Sequence, residues 1–148
     1  MMARRPSRTL VAARILGGLM LLATAAVHLQ QFFAVHYRVI PVIGPLFAAN
    51  FAIGVLLGSV LLAPIERLAS WLVALAALGG IVFAAGTIIG LELAEMGTLF
   101  GFHEHGYRIA VILSIAFEGA AIVSLAAYAL RLRSSRPTPR MEPARGVG

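Results

Sequence analysis

Uncharged, apolar residues fill positions 15–35, 39–63, 68–91 and 109–130, and short polar stretches separate the four runs. Only Glu118 puts an acid or an arginine inside any of them. A helix rises 1.5 Å per residue, so about 20 residues cross the hydrocarbon core of a bilayer, and every run is that long. No run alternates apolar and polar positions as a barrel strand must. Backbone groups in lipid have to satisfy one another, which leaves helices as the expected elements. The pattern predicts an all-α protein: a bundle of four transmembrane helices, arranged as two hairpins.

Stepping by three and four residues along each run shows which side faces the neighbouring helices. The first run aligns Gly17, Leu21, Thr24, His28 and Gln31, and the second aligns Ile43, Phe47, Asn50, Gly54 and Leu61 with Gly58 at the edge. On the third, Leu72, Ala76, Gly79, Phe83, Gly86 and Gly90 fall together; the fourth gives Ala110, Ser114, Glu118, Ala121, Ser124 and Tyr128. Gly54–Gly58 and Gly86–Gly90 both have GxxxG spacing, which lets membrane helices approach closely. Pro41 and Pro45 suit the start of the second helix, where a missing N–H is tolerated, and Pro64 ends it.

Composition agrees with a membrane-embedded chain. Of 148 residues, 60% are hydrophobic, against about 45–50% in soluble domains. The charge of +6 comes from arginine and glutamate alone, and no soluble domain exists to carry a nucleic-acid interface. Arg4, Arg5, Arg8 and Arg14 precede the first run, Arg67 sits between the second and third, and five arginines follow the fourth. Only Arg38 and Arg108 occupy the other two gaps. By the positive-inside rule both termini and the Pro64–Leu68 turn are expected in the cytoplasm, with the other loops outside the cell membrane. Trp71 and Tyr128 then fall near the inner interface, Tyr37 and Tyr107 near the outer one. Three parts follow: a basic N-terminus (1–14), the membrane domain (15–130) and a basic, disordered tail (131–148). Arginines, the run Ile15–Leu22 and Ala23-Thr24-Ala25 also resemble a signal peptide. The apolar run continues through His28 to Val35, which favours an uncleaved first span.

Candidate chemistry gathers in two places. Glu118 lies midway along its span, where an ionised acid costs roughly 2.5–3.5 kcal/mol on insertion scales. Asn50 is expected at a similar depth and His28 one or two turns nearer the outer face. Together they read as a proton-titrating site or a polar pocket for a small ligand. They read equally as a lock in which Glu118 bonds Asn50 or Ser114. At the outer face stand Tyr37, Arg38, Glu92, Glu95, Tyr107 and Arg108. His103 and His105, with His36 nearby, carry imidazoles that suit copper or zinc. HxH without a further fixed ligand is also ordinary for a wet interfacial loop. Cysteine is absent, excluding thiolate chemistry and disulfides. Only His28 sits within a span, which argues against haem. No nucleotide fingerprint or catalytic array is present, so no cofactor and no enzymatic activity are expected.

One run carries a resemblance. His28-Leu29, Tyr37-Arg38-Val39-Ile40-Pro41-Val42-Ile43-Gly44-Pro45-Leu46-Phe47 and Asn50 are similar to motifs of a family of small actinobacterial integral membrane proteins. Gly86-Thr87, Leu99-Phe100-Gly101-Phe102, Glu104 and Glu118 resemble its later motifs. The likeness covers roughly residues 28–120, and it implies the four-span topology without an activity. His36-Tyr37-Arg38 and His105-Gly106-Tyr107-Arg108 also echo each other, each leading into a helix with one intramembrane polar residue, as a parallel repeat would. The leading expectation is a non-enzymatic accessory or structural subunit, partnered by the lipid bilayer and by other membrane subunits or further copies of itself. The alternatives are a small proton-coupled carrier or ligand-binding protein using Glu118, and an outer-face metal-binding protein.

Overall fold

The computed structural model describes residues 7–34, 36–64, 69–97, 99–104 and 106–134. Helix α1 spans Arg8–Ala34, α2 Ile43–Leu62, α3 Ser70–Glu95 and α4 Ile109–Ser134. All four are long and apolar enough to cross a membrane. The chain is therefore an all-α, multi-pass membrane protein. A 3₁₀ turn, Tyr37–Val39, joins α1 to α2.

Successive helices run antiparallel in a closed ring. Helix α1 packs along α2 and α4, α3 packs along α4 and α2, and α1 and α3 barely touch across the diagonal. One end of the bundle carries the start of α1, the α2–α3 connection and the end of α4; it is called the termini end below. The α1–α2 and α3–α4 connections form the loop end.

The apolar core belongs to the termini end. Leu10, Leu21, Leu61, Val73, Ala76, Ala77, Ala121, Leu125 and Tyr128 pack there as one cluster. Without a difference in polarity between lipid and protein interior, close packing has to hold membrane helices together. Glycine provides it at the α1–α2 crossing. A Cβ on Gly58 would lie 2.8 Å from Leu22 Cγ and 2.9 Å from the carbonyl oxygen of Gly18. One turn on, a Cβ on Gly54 would lie 2.9 Å from that of Ala25. Leu125 fills the space left by Gly17 and Gly80, and it is wholly buried. Arg14 enters this end too. It is 5% exposed, and its Nη1 donates to the carbonyl of Ala63 at 3.2 Å, where a cation complements the last carbonyls of α2.

The interior stripes of α1, α2 and α4 match the expected ones, with Gly17, Leu21, Thr24, His28 and Gln31 all buried on α1. Glu118, Ala121, Ser124 and Tyr128 are buried on α4. Helix α3 differs. Its buried residues are Val73, Ala76, Ala77, Gly80, Ala84 and Ala94, a stripe turned by about one residue from the expected one. Gly86 and Gly90 consequently make no helix contact: a Cβ at either would meet nothing within 4 Å. The expected aromatic belt is also only half present. Trp71 and Tyr107 are exposed, whereas Tyr37 and Tyr128 are buried inside the bundle. Of the expected tail, residues 131–134 continue α4, with Arg131 Nη1 donating to Thr9 Oγ1 at 3.0 Å; the remainder lies outside the described residues.

Candidate functional site

At the loop end the four helices line a partly open cavity of 460 Å³ instead of a packed core. Its walls come from the last turns of α1, the first half of α2, the second half of α3 and the start of α4; the 99–104 loop covers it. Most lining side chains are apolar, among them Ile43, Phe47, Phe83, Leu91 and Phe102. Polar groups punctuate the wall at His28, Gln31, Asn50, Thr87 and Ser114, with Glu118 at one end and Tyr37, Glu104 and Arg108 at the other. A few convergent polar groups in an apolar enclosure of this size is the usual make-up of a small-molecule site.

Glu118 forms the deep end. Its Oε1 accepts hydrogen bonds from Thr24 Oγ1 and Ser114 Oγ, each at 3.0 Å, and those hydroxyls lie 3.1 Å apart. The side chain is 1% exposed. Thr87 approaches the same carboxyl from α3, but its hydroxyl already donates to the carbonyl of Ala84 at 2.9 Å. Glu118 thus ties α4 to α1 by way of Thr24. Of the two expected partners, Ser114 bonds it and Asn50 does not; Asn50 instead stands half-buried on the cavity wall. His28 lies on that wall as well. Its Nδ1 donates to the carbonyl of Thr24 at 2.9 Å, because a carbonyl can only accept, and its ring packs on Phe47 at 5.3 Å. In the neutral imidazole this leaves Nε2 as an acceptor.

At the mouth Tyr37 meets Glu104 and Arg108, 67 and 71 positions away. Tyr37 Oη donates to Glu104 Oε2 at 2.6 Å. Arg108 donates to Glu104 Oε1 from Nη2 at 2.8 Å and from Nε at 3.2 Å, and its Nη2 also reaches Tyr37 Oη. Glu104 is 6% exposed and Tyr37 7%. Desolvation, reinforced by the Glu104 bond, pushes the Tyr37 phenol up to about 12. For Arg108, burial disfavours the charge most, but the bonds and charge of Glu104 and Tyr37 together outweigh it and the guanidinium pKa is raised.

Local sequence explains how Tyr37 is held. A 3₁₀ turn lifts it from α1, and α2 then starts directly beneath: a Cβ on Gly44 would lie 2.8 Å from the Arg38 carbonyl oxygen and 3.0 Å from that of Tyr37. Val42 takes φ 67° to make the approach, an outlier for a β-branched residue. Phe47 and Phe102 meet the Tyr37 ring edge-on at 4.9 and 5.6 Å. The Tyr37–Phe47 run therefore builds one corner of the cavity. Opposite, Phe102 N donates to the Leu99 carbonyl at 2.8 Å across a tight turn whose central residues Phe100 and Gly101 are both left-handed, the φ pattern of a type I′ turn. Glu104 N then bonds the Ala94 carbonyl at 3.1 Å, fixing the loop to the end of α3.

The other expected outer residues do not join this site. Arg38 is exposed. Tyr107 Oη donates to Glu92 Oε1 at 3.2 Å on the surface, and that bond raises the phenol's pKa. Glu95 is half-buried away from the cavity lining. The HYR and HGYR echoes thus play unequal parts: Tyr37 and Arg108 meet, while Arg38 and Tyr107 stay outside. His103 sits exposed beside Gly97, His105 lies outside the described residues, and among the described residues no three metal-ligating side chains converge. Thr24, Gln31, Thr87 and Glu104 are the cavity or bonding residues that were not singled out from the sequence as site residues. Thr24 and Gln31 carried a signal on the interior stripe of α1, and Thr87 and Glu104 only as members of the motifs that carry the family resemblance. No protein-family model, curated protein or solved structure matches the chain.

Proposed function

We propose that this chain is a binding protein of the cell membrane that holds a small lipid-soluble molecule in its loop-end cavity without transforming it. Its termini and the α2–α3 turn face the cytoplasm, as the arginine distribution supports. The run from Tyr37 to Phe47 supports membership of the small actinobacterial membrane-protein family it resembles. The observation that carries the binding reading is the 460 Å³ cavity itself, apolar along its length and polar at both ends. A purely structural or accessory subunit has no use for such a space; close packing at both ends would serve it better. Glu118 fits a floor residue better than a proton carrier, because Thr24 and Ser114 hold the same carboxyl oxygen.

The test is to purify the chain in mild detergent, extract it with organic solvent and identify bound small molecules by mass spectrometry. The Gly90→Phe variant serves as the control, since Gly90 lines the cavity with open space before it. The reading predicts a stoichiometric molecule in the wild type and at least tenfold less in the variant at equal helical content. Equal amounts in both, or tight co-purification of a protein partner with an empty cavity, would return the accessory-subunit reading.

A further inference from the structure

Resting on that binding reading, we infer that the ligand is an uncharged lipid-soluble alcohol or phenol that enters from the bilayer between α2 and α3. Two observations carry this. The first concerns the α1 wall of the cavity. Gln31 lines the cavity, but its Oε1 is sealed from it and its Nε2 is engaged by Gln30. One turn earlier, His28 spends Nδ1 on the Thr24 carbonyl and keeps Nε2 as an acceptor on the same wall. A buried acceptor without a donor costs free energy, so His28 Nε2 favours a ligand that brings an O–H. A carboxylate or phosphate brings none, and a cation meets no free acid at the mouth, where Glu104 is already paired with Arg108.

The second observation is the route. Leu46 on α2 and Val82 and Gly86 on α3 line the cavity and are also exposed on the outer surface of the bundle. Between these helices the wall is a window onto the apolar part of the membrane, while Tyr37, Glu104 and Arg108 close the end toward water. A molecule arriving through that window comes from the lipid phase with its hydroxyl leading and its apolar part trailing. This selects the ligand's phase as well as its polar group.

Full-length protein in phosphatidylcholine vesicles is to be photolabelled with a diazirine analogue of farnesol, with unlabelled farnesol and farnesyl methyl ether as competitors. The ether keeps the tail and loses only the donated proton. Farnesol should compete at least tenfold better than the ether on the wild type. His28→Phe, which keeps the ring packed on Phe47, should bring the two competitors within about twofold of each other, and Gly86→Trp, whose side chain has free space to occupy, should abolish labelling at unchanged helical content. Equal competition by alcohol and ether on the wild type, which needs no variant to fold, overturns the inference, as does absence of labelling. If the two compete equally yet Gly86→Trp still blocks labelling, the cavity reading stands and the hydroxyl assignment falls. If Gly86→Trp and Gly90→Phe both leave labelling intact, the cavity reading falls with it.

Discussion

The two ends of this bundle are built from the same residue types and do opposite things. At the termini end glycines face other helices: Gly18 and Gly58 approach across α1 and α2, and Gly17 and Gly80 make room for Leu125. At the loop end Gly86 and Gly90 face empty space, and the cavity stands where a core would be. Small residues bring membrane helices together only where a partner's bulk is offered to them. Where none is offered, the same residues leave room for something else. One end is thus a clamp that holds the helices, and the other is a chamber whose walls are held by polar bonds.

That contrast makes the polar bonds of the loop end the first place to attack it. Arg108→Ala leaves Glu104 buried against Tyr37 without its cation, and removal of a partner from a buried charged acceptor costs about 1–3 kcal/mol or more. Because Arg108 is itself 39% exposed at the side chain, solvent screening places the loss toward the lower part of that range. Thermal melts in detergent measure it, and protease sensitivity of the 99–104 loop should rise while the termini end keeps its helicity. An unchanged melting temperature and loop would remove the triad as the closure of the chamber.

A smaller effect is expected deeper down. Glu118→Gln keeps an oxygen to accept from Thr24 and Ser114, whereas Glu118→Leu leaves those hydroxyls only each other. Interhelical hydrogen bonds in membranes are worth on average about 0.6 kcal/mol and at most about 2. The Gln variant should therefore melt within about 0.5 kcal/mol of wild type and the Leu variant about 1 kcal/mol below it. If Gln were as damaging as Leu, an acceptor oxygen would not be what Glu118 contributes, and the account of its bonds to Thr24 and Ser114 would fall.

The gentlest probe is pH. The Tyr37 phenol is raised from about 10 to about 12, so the folded state holds that proton more tightly than the unfolded state does. Its contribution is complete below about pH 10 and is lost as pH climbs toward 12. The tyrosinate absorbance difference between wild type and Tyr37→Phe should show an ionisation near 12. In Glu104→Gln it should move down toward 10, since the neighbouring carboxylate is one cause of the rise.

Much of the fold was readable in the residues, because uncharged runs of bilayer length have one stable form in lipid. The stripes on α1 and α4 were also legible: Thr24, His28, Ser114 and Glu118 are polar residues that lipid would reject, so their side of the helix has to face inward. On helix α3 Phe83, Gly86 and Gly90 of the expected stripe line the cavity, but the packed residues lie about one position away, for the complementary reason. Gly79-Gly80 and Ala84-Ala85-Gly86 offer small residues on several faces at once, and neither hydropathy nor size tells a packed glycine from one beside a void. Glu118 and Ser114 were visible as a pair because they sit one turn apart on a single helix. Glu104 was not, since its role requires a loop to fold back so that it meets Tyr37, 67 positions away. Asn50 was placed correctly in the interior but without the bond to Glu118 that equal depth implied; shared depth does not set direction around a helix.

Thermal stability of Gly58→Ala and Gly90→Ala, measured side by side in one detergent, puts clamp and chamber to the most direct comparison. The added methyl at Gly58 meets Leu22 and the Gly18 carbonyl and should lower stability by about 1–3 kcal/mol. At Gly90 it meets nothing, and the better helix former should leave stability unchanged or raise it by up to about 1 kcal/mol. Losses of similar size at both glycines would show that the loop end is packed like the termini end, and that there is no chamber.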